Sequence, residues 1–200
     1  WMRPLLKGAS SSKRVEIVAG DLLGRKTGVN PHLWYDPTAI PLVAKALTSA
    51  LNKADPANAA DYEVRLRLFD ASLDPIAAKI ASIRTAHTGI SVTATEPVFG
   101  YMATALGFKM RNERLQLAVM NDTEPSARDV AAFENDLKTH SVSILFYNRQ
   151  ASSAAAKYLL NIATAAHVPV VGVTETEPAG ATYQSWMLDQ LEAVEKALRT

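Results

Sequence analysis

Ile90-Ser91-Val92-Thr93-Ala94-Thr95-Glu96-Pro97 is where the rhythm of the chain changes. The β-branched run at 90–94 follows Gly89 and reads as a short buried strand. Beyond it, strand-like and helix-like segments alternate. Phe99 to Leu106 reads as a short helix closed by Gly107. Leu115 to Met120 reads as a strand. Glu124-Pro125-Ser126 introduces a helix over Ala127 to Thr139, with Ser126 as its cap. Val142 to Tyr147 reads as a strand, Ala151 to Ala166 as a helix, Val168 to Val173 as a strand, and Tyr183 to Leu198 as the last helix. This alternation predicts an α/β fold: a parallel, Rossmann-like sheet covered by helices.

Upstream, the apolar residues Tyr62, Leu66, Phe69, Leu73, Ile76, Ile80 and Ile83 recur at three- and four-residue steps. They predict one long rigid helix from Asp55-Pro56 to Thr85, about 45 Å in length, with Pro75 bending it or removing one hydrogen bond. Ile40, Val43, Ala44, Leu47 and Leu51 predict an earlier helix, opened by Asp36 as N-cap and Pro37 at its first position. Arg14 to Ala19 reads as a strand, and Gly20 to Val29 as a polar connection. The expected organisation is a remnant of an N-terminal lobe at 1–54, a linking spine helix at 55–88, and a C-terminal α/β lobe at 89–200.

Composition narrows the function classes. Apolar residues make up 48% of the 200, enough for a core. Net charge is only +1, which argues against binding nucleic acid by bulk charge. No run of about 18 apolar residues exists to span a membrane. With no cysteine, disulfides and thiolate chemistry are excluded. The start at Trp1-Met2-Arg3-Pro4, without initiator methionine or signal peptide, reads as a processed, trimmed or engineered chain.

In an open parallel sheet, ligands bind beyond the carboxyl ends of the strands. Glu96 follows the first predicted strand; Asn148, Arg149 and Gln150 follow another; Glu175 and Glu177 follow the last. His32 lies in the loop Asn30-Pro31-His32-Leu33-Trp34-Tyr35-Asp36-Pro37, where two prolines hold irregular backbone. One imidazole and two carboxylates suit a divalent transition ion. The same acids also suit first turns of helices, and His32 a bonded loop position. His87, His140 and His167 sit at helix C-termini and read as structural. Trp186 and Met187 read as packing. No dinucleotide fingerprint, phosphate loop or nucleophile elbow occurs.

The loop at 30–37 resembles the Asn-Pro-His-x-Trp-x-Asp-Pro signature of the zinc/manganese solute-binding proteins of ABC importers, cluster A-I. The resemblance continues through Thr95-Glu96-Pro97-Val98-Phe99-Gly100-Tyr101, Gly107-Phe108, Glu124-Pro125-Ser126 and Val173-Thr174-Glu175-Thr176. It implies two α/β lobes joined by a rigid helix, with a zinc or manganese ion between them. It implies His32, Glu96 and Glu175 as metal ligands. Glu96 stands where relatives carry His or Glu, and Glu175 where Asp is usual. Glu at position 96 is commoner among manganese-type receptors. Another ligand histidine is expected upstream of Trp1, and the front lobe is expected to be incomplete.

The resemblance further implies a periplasmic or otherwise extracytoplasmic receptor that hands its ion to a membrane permease and performs no covalent chemistry. Two alternatives stay open: a metal-free adhesin or interaction module of the same fold, and an α/β enzyme using Glu175 or Glu177 as a base.

Overall fold

The computed structural model describes residues 2–9, 11–26, 28–151 and 153–199. Four strands form one parallel sheet: β1 (Ser91–Ala94), β2 (Lys109–Met110), β3 (Leu145–Asn148) and β4 (Val170–Val173), in the order β2-β1-β3-β4. Thr93 of β1 lies opposite Leu145, and Leu145 opposite Val170. Parallel neighbours need helical crossovers. These are α6 (Gly100–Ala105), the pair α7 (Glu113–Met120) and α8 (Ala127–Lys138), and α9 (Ala154–Ala165). The chain leaves β1 toward β2, then returns past β1 to β3. That reversal creates a switch point at the carboxyl ends of β1 and β3, where open sheets accept ligands.

Two-residue alternation sorts the strand side chains onto two cores. Val92, Ala94, Ile144, Phe146, Val171 and Val173 point to one face, with α5 (Asp74–His87) and α10 (Tyr183–Ala197). Leu145 points to the other, among Leu115, Val119, Phe133, Leu137 and Leu159 from α7, α8 and α9. Trp186 and Met187 are packing residues of the first core, as expected. Ser126 caps α8 by accepting the Asp129 N–H. α9 begins at Ala154 on a Ser153 cap; the expected start near Ala151 adjoins Ser152, which lies outside the described residues, as does Trp1. His140 and His167 do end helices, each in left-handed backbone, at φ 50° and 55°.

Four expectations are corrected. Residues 115–120 are helical. Leu115 and Val119 are one turn apart and bury on the same face, while Leu117 is exposed. Leu, Gln, Ala and Met favour a helix, and so short an apolar run cannot fix its own period. Residues 14–18, which follow the short helix α1 (Met2–Gly8), belong to no strand, and Val15 and Val18 face solvent. A lone strand has no ladder to hold it, and the short helix α2 (Ala19–Leu22) follows.

The spine helix is two helices, α4 (Ala59–Ser72) and α5, parted at Leu73. Pro75 lies in the first turn of α5, where its missing N–H is harmless, so a fresh helix start replaces a kink. The two halves also have different partners. α5 buries Ile76, Ile80 and Ile83 against the sheet lobe, whereas α4 packs on α3 (Ala39–Ala54). Lastly, α3 begins at Ala39, with Thr38 and not Asp36 at its N-cap. The Asp36 carboxylate instead accepts the Thr38 N–H at 3.1 Å and its hydroxyl at 2.7 Å, a turn that ends before the helix starts.

Candidate metal-binding site

The turn at 30–36 is tied to several elements around the site. The Tyr101 hydroxyl donates to the Asn30 carbonyl at 2.8 Å, and the Asn30 amide donates to the Pro97 carbonyl at 2.6 Å. The Tyr183 hydroxyl donates to the Trp34 carbonyl at 2.9 Å. Tyr35 is wholly buried, its hydroxyl 2.6 Å from both the Thr174 carbonyl and Gln190 Oε1. Burial pushes the Tyr35 phenol well above its ordinary range and that of Tyr183 up to about 12, so both remain protonated donors. Trp186 Nε1 donates to Thr174 Oγ1 at 2.7 Å. The imidazole-bearing turn is thereby tied to the residue preceding Glu175.

His32 is 1% exposed. Its Nδ1 lies 2.6 Å from Asn30 Oδ1, which also accepts the His32 backbone N–H at 3.1 Å. Since Asn30 spends its NH2 on Pro97, the oxygen must face the ring, and the Nδ1 position carries the proton. The Nε2 lone pair then points at Glu175 Oε1, 3.4 Å away. Burial lowers the pKa of His32, with Glu175 pulling it partly back. A neutral imidazole whose lone pair meets a carboxylate is an unfavourable pair with nothing between them, and a favourable one around a cation. Such outer hydrogen bonding is how proteins fix the tautomer of a metal-binding histidine.

Glu96 follows β1 and Glu175 follows β4, as the strand-end reasoning expected. Asn148, the last residue of β3, lies between them. Its Nδ2 is 3.3 Å from Glu96 Oε2 and 3.4 Å from Glu175 Oε2. Burial, with Glu175 and Asp122 nearby, raises the Glu96 pKa, against a lowering pull from the Asn148 bond. Gln150 Oε1 accepts the N–H groups of Glu175 and Thr176 at 2.6 and 3.0 Å, clamping that loop by its backbone. Glu177 is exposed and joins none of these contacts.

Among the described residues, no three His, Cys, Asp or Glu side chains stand close enough to hold an ion unmoved. His32 and Glu175 meet directly, and Glu96 reaches them through the Asn148 amide. Sequence reasoning noted Asn148 and Gln150 only as strand-end residues and assigned Asn30 and Tyr35 no role. The strand-end position was the available signal for Asn148, but its bonds join residues distant in sequence.

At the carboxyl ends of β1, β3 and β4 the chain presents Glu96, Asn148 and Glu175 toward the imidazole of the 30–36 turn, donors whose chemistry suits a cation. Residues 1–197 match the family model described as "ZnuA: Zinc-uptake complex component A periplasmic", and the chain belongs to that family. It is 26% identical over 175 residues to the zinc-binding protein AdcA of Streptococcus pyogenes, covering 86% of this chain and 33% of that protein. It is 25% identical over 175 residues to the high-affinity zinc uptake system protein ZnuA of Bacillus subtilis, covering 85% and 54%. The chain thus spans only a third to about half the length of these curated relatives.

Among the solved structures that share the fold are two periplasmic metal-binding proteins. The periplasmic zinc binding protein TroA of Treponema pallidum superposes with a TM-score of 0.76 at 18% identity, over 98% of this chain and 76% of that one. A manganese-bound periplasmic metal-binding protein from Candidatus Liberibacter asiaticus gives 0.66 at 20% identity, over 86% and 69%.

Proposed function

We propose that this chain carries the metal-capturing part of an extracytoplasmic receptor, which takes up a divalent transition ion, zinc or manganese, and delivers it to an ABC permease in the membrane. His32, Glu96 and Glu175 are the ligands in this reading. The observation that carries it is the 3.4 Å approach of His32 Nε2 to Glu175 Oε1, with Nδ1 held at 2.6 Å on Asn30 Oδ1. A neutral imidazole and two carboxylates also offset the charge of a divalent ion. Capture closes the carboxylates on the ion by side-chain rotation, for which the half-exposed Glu175 has room. Arrival of the ion displaces any proton held on Glu96 and excludes one from Nε2, so uptake is coupled to proton release. Membership in the zinc-uptake family supports the importer role, and no helix among the described residues is long and apolar enough to cross a membrane.

The test is titration calorimetry of the chain with zinc and manganese in chelator-buffered solution. Binding is expected, with His32→Ala weakening it beyond the roughly 10- to 100-fold that outer-shell changes produce. Absence of binding heat from both ions, in this chain and in a longer one that includes the residues upstream of Trp1, would reject the reading in favour of a metal-free interaction module.

A further inference from the structure

Asn148 is 2% exposed, and its side chain is fully committed. Its Oδ1 accepts the Gln150 N–H at 3.0 Å, which fixes the amide orientation and turns Nδ2 toward the two acids. The two hydrogens of that nitrogen face Glu96 Oε2 and Glu175 Oε2. Each carboxylate therefore keeps one oxygen on Asn148. The other oxygen of Glu175, Oε1, is the one facing His32 Nε2.

We propose that Asn148 is a positioning residue that makes Glu96 and Glu175 one-oxygen ligands and so biases the site toward zinc over manganese. The inference rests on the metal-receptor reading above. Zinc is satisfied by about four donors in a tetrahedron. One oxygen from each acid plus the imidazole nitrogen leaves a single further position for water or another side chain. Manganese favours about six donors, mostly oxygen. It gains most when both acids chelate through both oxygens, which the Asn148 bonds oppose. Gln150 reinforces the arrangement by holding the Glu175 backbone, so that the loop does not slide to compensate.

The experiment measures zinc and manganese affinities side by side for the wild type, Asn148→Ala and the isosteric Asn148→Asp. Coordination numbers of both adducts are read by X-ray absorption. For Asn148→Ala, zinc affinity is expected to fall about 10- to 100-fold, the range for an outer-shell partner, while manganese falls less. The zinc-to-manganese ratio then drops, and the manganese adduct gains oxygen neighbours. Asn148→Asp, which replaces the donor with a third acid and preserves the shape, is expected to drop the ratio further. A purely structural role would weaken both ions equally. An unchanged ratio in both variants, with a wild type that binds, overturns this inference alone. A wild type that binds neither ion overturns it together with the receptor reading. The melting transition of the ion-free variants shows whether each is folded, and if Asn148→Ala is not, the ratio in Asn148→Ser, which removes both amide hydrogens without adding an acid, decides.

Discussion

The turn at 30–36 and the loop at 174–177 supply the two groups that face each other, and they are held in opposite ways. The turn is fastened through side chains and carbonyls alike, by Tyr101, Tyr183, Tyr35 and the Asn30 amide. Its histidine is 1% exposed. The loop is clamped through its backbone by Gln150, while the Glu175 side chain remains 45% exposed. One partner is preorganised and the other adaptable. In the proposed receptor the fixed imidazole would set where an ion sits, while the carboxylate, held to Asn148 by one oxygen, would turn the other toward it. Binding strength gains from the rigid part, because little ordering entropy remains to be lost there.

Three experiments sharpen or break this contrast. The largest expected effect is from Asn30→Ala, which removes the acceptor at Nδ1 and frees the ring to change tautomer. Metal affinity should fall about 10- to 100-fold in chelator competition, with the fold retained. Unchanged affinity would mean that the imidazole needs no outer partner. Next is Tyr35→Phe, which strips a buried donor from the Thr174 carbonyl and Gln190. Urea unfolding of the ion-free protein should show a loss of about 1–3 kcal/mol, with a smaller loss of metal affinity than Asn30→Ala gives. A stability change near zero would show that the two segments are not joined through this hydroxyl.

The smallest effect is the pH dependence of the ion-free protein. Burial holds His32 below its ordinary 6.5, so between its folded value and 6.5 the unfolded chain binds more protons. Stability contributed by the neutral ring is complete above 6.5 and is lost as pH falls through that window. Burial moves Glu96 the other way, up from 4.5, so its contribution is complete below 4.5 and lost as pH rises through its folded value. Urea midpoints followed against pH should lose the first slope in His32→Gln and the second in Glu96→Gln. Retention of the His32 slope in His32→Gln would place the titrating group elsewhere.

Much of this was legible before the structure, for physical reasons. Helices α3, α8 and α10 repeat apolar residues at helical spacing, and Ser126 announces the start of α8. The strands β1, β3 and β4 are short runs rich in β-branched or aromatic residues between turn signals. Residues 115–120 misled because six apolar-rich positions fit either period; the deciding fact is that Leu115 and Val119 share one buried face. The break at Leu73 was invisible because the apolar rhythm runs straight through it, and only the change of packing partner shows why one helix became two. For the site, Glu96 and Glu175 were legible as acids beyond strand ends, and His32 through its motif. The linking role of Asn148 was not, since it depends on two strands and a loop meeting in space.

The contact between His32 and Glu175 closes 143 positions of chain. During synthesis the imidazole emerges long before its carboxylate, and a nascent polypeptide holds only one side of the pair until every strand of the sheet has been made. Such long closure adds little to the entropy cost, which grows only logarithmically with length. A chain clipped ahead of β4 keeps the signature residues but loses Thr174, Tyr183 and Gln190, which hold their turn, together with the acid that the turn faces.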